Sequence, residues 1–380
     1  MARPGRRPHV VVVGAGAFGG HAALELLRRG SRVTLLDAWG PGNPRSSSGG
    51  ETRILRAIYG DRRIYAELAA RALDLWRRLE ARTGAPLFTR IGCLWLLHGE
   101  GVYVQESLPF LRELGFGYDE LTTAEAARRH PQMRLDDVDG AVYEREAGVL
   151  LARRACEVVL ELFLAEGGAF RRAAARPGAE ERGALADVVL SDGGRLPADE
   201  FVFACGPWLP QIFPELLAGV LVPSRQEVFT FGPPAGDDRF HEGRLPVWMD
   251  MGERTLYGIP ARGTRGLKIA DDTHGAVFDP TDGERIVSAE GLAAARAYLA
   301  RRFPLLAGAP LVESSVCQYE NTPDAHLILD RHPELENVWI AGGGSGHGFK
   351  HGPAVGELVA EMVLGDAMPN PAFALGRFGR

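Results

Sequence analysis

The chain has 380 residues, 46% hydrophobic and 24% charged, which is material for two domains with an ample core and excludes disorder or a collagen-like repeat. Its 43 Lys and Arg against 49 Asp and Glu leave a formal charge of −6, with no excess of cations to neutralise a phosphate backbone, so nucleic acid is excluded as the expected partner. Four cysteines, Cys93, Cys156, Cys205 and Cys317, have neither the density of a disulfide scaffold nor the paired spacing of a zinc site, so no metal is expected and a reducing compartment is the default.

Basic Arg3, Arg6 and Arg7 ahead of the apolar run from Val10 imitate a signal peptide. Gly14, Gly16, Gly19 and Gly20 within that run suit a strand, a tight turn and a helix start instead. No apolar stretch reaches the roughly 18 residues a membrane span requires, and Gly376-Arg377-Phe378-Gly379-Arg380 is no Ser-Lys-Leu type peroxisomal signal. A cytoplasmic protein is expected, and a monomer.

His9 to Val13 reads as a strand, the run from Ala22 as a helix closed by Gly30, and Arg32 to Leu36 as a second strand ending at Asp37, together a βαβ unit. A Gly-, Pro- and Ser-rich loop follows from Trp39 to Gly50. The spacing of Leu68, Ala72, Leu75, Trp76 and Leu79 predicts an amphipathic helix over Tyr65 to Arg82. Phe88 to Leu97 reads as a strand, Val102 to Leu114 and Thr123 to Arg129 as helices, and Leu150 to Glu166 as a further helix. The Arg- and Ala-rich patch Arg171 to Arg182 reads as an exposed hairpin or loop. Strand-like runs alternate with turns from Val222 to Leu267, and Ala289 to Arg302 reads as a helix. The last unit is strand Val338 to Ala341, a glycine cluster and helix Pro353 to Leu364.

In Gly14-x-Gly16-x-x-Gly19 the first glycine permits a tight turn, the second lets a pyrophosphate approach the backbone, and the third allows close helix–strand packing. The helix N-terminus behind them offers N–H groups to phosphates. Asp37, 23 positions after Gly14, stands where a carboxylate accepts from a ribose hydroxyl. The placement between strand and helix argues for a dinucleotide over a structural turn, and the pattern alone does not choose between NAD and FAD.

Five ordered blocks make that choice. They are Ser46-Ser-Ser-Gly49-Gly50-Glu51-Thr52-Arg53-Ile-Leu-Arg56 with Tyr59-Gly60; Phe201-Val-Phe-Ala-Cys-Gly206-Pro-Trp208; Gly266-Leu267-Lys268; Cys317-Gln-Tyr319-x-x-Thr322-Pro323-Asp324; and Gly344-Ser345-Gly346-His347-Gly348-Phe349-Lys350 with Gly356-Glu357. With a similarity spanning about Val10 to Leu364, they resemble the D-amino-acid-oxidase-like family of FAD-dependent enzymes, in its monomeric sarcosine oxidase and N-methyltryptophan oxidase branch.

The resemblance implies an α/β fold of the glutathione-reductase type. A Rossmann-like FAD-binding domain (1–88, 149–220 and 324–380) would carry a mixed-sheet substrate domain (89–148 and 221–323). It implies FAD on Gly14, Gly16, Gly19, Asp37, Thr52, Arg53, Gly344, Gly346, Gly348 and Lys350, with Cys317 at the position that relatives link to the flavin. It places Arg53 against one flavin face and Lys268 near N5, where positive charge favours oxygen reduction. Arg56 and Lys350 fall where relatives hold the substrate carboxylate, and Tyr257 and Tyr319 flank the substrate pocket. Read without the resemblance, Arg53 and Arg56 would be an exposed polar loop, Lys268 a solvated strand tip, Cys317 a small buried hydrophobe, the two tyrosines simple core, and His347 either a catalytic group or a loop histidine.

Two departures stand out. Ser48 and Gly49 replace the histidine pair of sarcosine-oxidizing relatives, which leaves covalent attachment open. Asp271-Asp272 replace a Tyr-His pair; they would either sit in an exposed turn or make one side of the pocket acidic. The implied reaction is oxidation of the C–N bond of an amino acid or secondary amine to an imine, with O2 reduced to H2O2. The alternatives are a flavin dehydrogenase with another electron acceptor and a non-catalytic nucleotide-sensing module.

Overall fold

A computed structural model describes residues 7–379, so Arg3, Arg6 and Arg380 lie outside it. All five residues of His9–Val13 are buried, and this strand lies inside a six-stranded sheet. The order across the sheet is Ile328–Arg331, Val338–Gly342, Glu200–Phe203, His9–Val13, Arg32–Asp37 and Ala169–Arg172, every neighbouring pair parallel except the first. Parallel strands covered on both faces must be apolar along their length. Here one face packs against helices Ala17–Arg28, Arg63–Thr83, Ala152–Ala165 and Gly352–Leu364. The other packs under a small antiparallel sheet of Ala175–Pro177, Asp187–Leu190 and Arg195–Pro197.

A second, eight-stranded sheet runs in the order Leu311–Asn321, Val222–Phe231, Leu267–Asp271, Thr255–Ile259, Val247–Met251, Cys93–Leu97, Gly140–Glu144 and Tyr118–Leu121. It is antiparallel except where Val247–Met251 meets Cys93–Leu97. Helix Ala289–Arg302 covers one face through Tyr298 and Leu299, beside Trp248 and Phe303. The fold is therefore Rossmann-like α/β with a mixed-sheet unit beside it. A third, short sheet of three strands, Thr52–Leu55, Gly148–Leu151 and Phe88–Arg90, carries Arg53. No helix among the described residues is long and apolar enough to cross a membrane.

Three expectations need correction. Phe88 to Leu97 is two strands in two different sheets, because Gly92 takes φ 75° and turns the chain between them. Leu150 does not begin a helix: Gly148–Leu151 is a strand pairing with Thr52–Leu55, and the helix starts at Ala152. The Arg-rich patch does end in an exposed hairpin, Glu180–Glu181 pairing with Ala184–Leu185, but it is not only that, since Ala169–Arg172 adds the sixth strand and Ala175–Pro177 opens the small sheet. Its exposed arginines hid a sheet edge, where one row of side chains meets solvent.

Candidate active site

The turn after His9–Val13 is too crowded for side chains. A Cβ on Gly14, which has φ 106°, would lie 2.3 Å from the Ala204 carbonyl oxygen, and one on Gly19 would lie 1.9 Å from that of Gly14. At Gly16 the nearest atom to a Cβ would be Ser48 Oγ at 3.3 Å, a milder crowding that a small shift of the serine side chain would have to relieve. Asp37 ties the turn to the end of the second strand: Oδ2 accepts from Ala15 N at 2.8 Å, and Oδ1 from Trp39 N at 2.9 Å and Gly40 N at 2.7 Å. Oδ2 keeps a lone-pair site free, and Asp37 still borders a cavity of about 210 Å³ together with Gly14, Gly16, Gly344, Gly346 and Gly348. Open glycine backbone, a helix N-terminus and an acid at that spacing are the donor set a dinucleotide requires, so these residues fit FAD.

Two further chambers adjoin. One of about 430 Å³ is bordered by Thr52, Lys268, Tyr257 and Cys317. One of about 50 Å³ is bordered by Arg56, Lys350, Tyr257 and Asp272. Arg53, Tyr319 and Gly346 border all three, so they mark the junction.

At that junction the Thr52 carbonyl accepts from Arg53 Nη1 at 2.8 Å and from Lys268 Nζ at 3.1 Å. Arg53 Nη2 also donates to the Ser47 carbonyl and lies 3.6 Å from Cys317 Sγ. Lys268 is the second residue of Leu267–Asp271 and is no solvated tip. Burial, and then the neighbouring Arg53 charge, bring its ammonium down to about 7.

In the small chamber the Arg56 guanidinium donates to the Ile58 carbonyl and lies 4.4 Å from the Tyr59 ring centre and 5.2 Å from that of Trp95. Lys350 Nζ donates at 2.7 Å to both the Tyr59 hydroxyl and the His347 carbonyl. Burial, and then Arg56, push this lysine well below its usual range, while Asp272 acts the other way. The Tyr319 hydroxyl donates to Asp272 Oδ1 at 2.8 Å, whereas Asp271 is engaged by Arg254. The two acids thus part: Asp271 pairs with Arg254 and borders the chamber of about 430 Å³, and Asp272 borders the one of about 50 Å³. His347 Nε2 meets the Ala325 carbonyl at 3.0 Å, which assigns the proton to Nε2, and burial keeps the ring neutral.

Two participants, Tyr59 and Glu320, were given no role from the sequence, and Ser48 was noted only as a departure from the relatives. Tyr59 stood inside a quoted block without a role, yet it joins both chamber cations. Ser48 Oγ, from 31 positions along the chain, accepts from Ala17 N at 3.1 Å and so satisfies an N–H that the N-cap residue Gly16 has no side chain to meet. Glu320 is 8% exposed on the cofactor cavity; Oε1 accepts from Gly344 N at 3.2 Å and Oε2 meets no partner among the described residues. A glutamate between two polar residues in a strand carries no sequence signal of burial.

Residues 9–362 match the DAO family, described as FAD dependent oxidoreductase. Monomeric sarcosine oxidase of Bacillus sp. (strain B-0618) is 33% identical over 364 residues, covering 93% of this chain and 92% of that protein. N-methyl-L-tryptophan oxidase of Salmonella arizonae is 28% identical, covering 97% of each. In fold, the crystal structure of L-proline dehydrogenase from P. horikoshii superimposes with a TM-score of 0.85 at 22% identity, covering 99% of this chain and 98% of that one. With its glycine turn, Asp37 and the three joined chambers in place, the chain belongs to the DAO family of FAD-dependent oxidoreductases, in the company of enzymes that act on amine C–N bonds.

Proposed function

We propose that this chain oxidises the C–N bond of an α-amino acid with a primary or secondary amine and passes the electrons to O2, giving an imine and H2O2. The observation that carries the reading is the convergence of Arg56 and Lys350 on one small chamber beside the cofactor cavity. Two desolvated cations are costly together unless an anion joins them. A substrate carboxylate is that anion, met by a guanidinium fork and an ammonium. Tyr257 and Tyr319 wall the chamber and exclude water from the reacting carbon.

FAD, when bound, supplies the two-electron acceptor for the C–H bond next to nitrogen. No side chain has to act as a strong base, because a neutral amine already carries the lone pair that assists hydride departure. The amine loses two electrons and two protons, O2 takes up both pairs, and water hydrolyses the imine. Lys268, held with Arg53 on the Thr52 carbonyl, supplies positive charge where oxygen is reduced.

The test is peroxide release across N-methyl, cyclic and primary amino acids, with stopped-flow reoxidation in air. Anaerobic bleaching by an amino acid without aerobic reoxidation would assign a dehydrogenase instead, and a colourless purified protein would leave only a nucleotide-sensing role.

A further inference from the structure

Among the described residues Asp272 is the one acid bordering the chamber that holds Arg56 and Lys350. The Tyr319 hydroxyl takes Oδ1, and no Lys or Arg among the described residues forms an ion pair with this carboxylate, in contrast to Asp271 with Arg254. Its charge is felt by both cations, supporting the protonated forms of Arg56 and Lys350. The chamber is therefore bipolar, with two cations and an anion partly withdrawn from water.

A substrate carboxylate on Arg56 and Lys350 takes up one of their two charges; the other is balanced by Asp272 only at a distance, and the Tyr319 hydroxyl is the one direct partner of that acid among the described residues. The amine being oxidised is a poor partner for it, because a carboxylate would hold that nitrogen as an ammonium and remove the lone pair the reaction requires. The room for another group exists: at Tyr257, Lys268 and Tyr319 the chamber of about 50 Å³ adjoins the one of about 430 Å³. We infer that Asp272 forms a subsite for a hydrogen-bond-donating cation on the substrate, separate from the nitrogen that is oxidised, so that the preferred substrate is an amino acid with a second, positively charged group. This rests on the carboxylate-binding reading of Arg56 and Lys350.

The experiment uses the flavin-loaded protein and two carboxylates of similar length with no oxidisable amine, 4-guanidinobutyrate and hexanoate, titrated while the flavin absorbance is followed. Wild type should bind 4-guanidinobutyrate about tenfold or more tightly than hexanoate, the worth of one charge-assisted hydrogen bond in a desolvated site. In Asp272→Asn, which keeps an acceptor for the Tyr319 hydroxyl, that ratio should fall to about threefold or less, and Asp272→Glu should restore part of it. Equal binding by wild type, or a preference that survives in Asp272→Asn, overturns the subsite and leaves the carboxylate reading standing. If neither compound binds, the carboxylate reading falls and takes the subsite with it. Should Asp272→Asn fail to load flavin, the wild-type ratio decides alone.

Discussion

Lys350 Nζ donates at 2.7 Å to the hydroxyl of Tyr59, whose ring lies under the Arg56 guanidinium at 4.4 Å, so one phenol holds both cations of the small chamber. Burial pushes the Tyr59 phenol far above its usual range, so it keeps its proton, and His351 Nε2 lies 2.7 Å away to receive it. His351 is itself held neutral by burial and then by Lys350. With the hydroxyl proton turned to an imidazole, the oxygen presents a lone pair to the lysine.

Tyr59→Phe removes that lone pair and leaves a buried amine with one fewer partner. We expect KM for a carboxylated amine to rise about tenfold, from the loss of one charged hydrogen bond, while a decarboxylated analogue changes much less. An equal loss on both compounds would assign Tyr59 to general packing.

Arg56→Ala removes the guanidinium itself. Truncating one partner of a desolvated charge pair costs about 2–5 kcal/mol, so kcat/KM for the carboxylated substrate should fall by about 1.5 to 4 orders of magnitude, with the decarboxylated compound little affected. Steady-state turnover of the pair in wild type and variant checks it. A carboxylate preference that survives Arg56→Ala removes Arg56 from the clamp.

Lys268 carries a pH dependence with a definite sign. Its ammonium is lost on raising pH through about 7, well below an ordinary lysine. If the charge assists oxygen reduction, reoxidation in air should be fast below that pH and slow above it, while anaerobic reduction by substrate follows another profile. Lys268→Met should reoxidise orders of magnitude more slowly and lose this pH step. Equal damage to both half-reactions would refute the assignment.

The backbone-driven features of the site were legible in the sequence because glycine has few substitutes where a Cβ cannot fit. Gly14, Gly19 and Gly346 are such positions, the last with φ 78° and room for no Cβ beside the Tyr319 ring. Strand alternation and helix spacing located most elements, and helix Ala289–Arg302 has the expected bounds. Side-chain partnerships across long separations were not legible. Tyr59 meets Lys350 and His351 from far along the chain, and Asp272 meets Tyr319 from 47 positions away, contacts made by tertiary folding and not by local pattern. The break at Gly92 was missed for a related reason: both halves of Phe88 to Leu97 are apolar enough for a strand, and only the tertiary arrangement assigns them to different sheets.

Cys317 borders the large chamber with its sulfur 3.6 Å from Arg53 Nη2, at the junction with the cofactor cavity. Of the other free thiols, Cys93 and Cys156 border none of the three chambers, and Cys205 borders the cofactor cavity at the glycine turn, where its thiol donates to the Val13 carbonyl, and not the large chamber. Acid precipitation of the wild type should therefore carry the yellow colour into the pellet, and Cys317→Ser should release it to the supernatant. Colour released from wild type would mean non-covalent FAD, with Ser48 and Gly49 in place of the relatives' histidines as the first place to look for the cause.

Glu320 carries the last prediction, through the carboxyl oxygen that meets no partner. Burial raises its pKa to about 7, against hydrogen bonds from the Gly344 and Gly343 backbone that lower it. In the unfolded chain the acid ionises near its ordinary value of 4.5. Between those two values the folded protein holds a proton that the unfolded chain has lost, so stability falls as pH rises through the window and stays at the lower level above it. Glu320→Gln keeps an acceptor for the Gly344 N–H and has no charge to lose. Relative to that variant, the flavin-loaded wild type should lose about 1–3 kcal/mol between pH 5 and about pH 7.5, read from urea midpoints at matched flavin content. The sign distinguishes this acid from the paired ones such as Asp119, whose carboxylate is held below its usual range by Arg129 and Arg145 and which therefore loses stability as pH falls. A Glu320→Gln variant with the same pH slope as wild type would show that the Glu320 carboxyl ionises alike in the folded and unfolded chain.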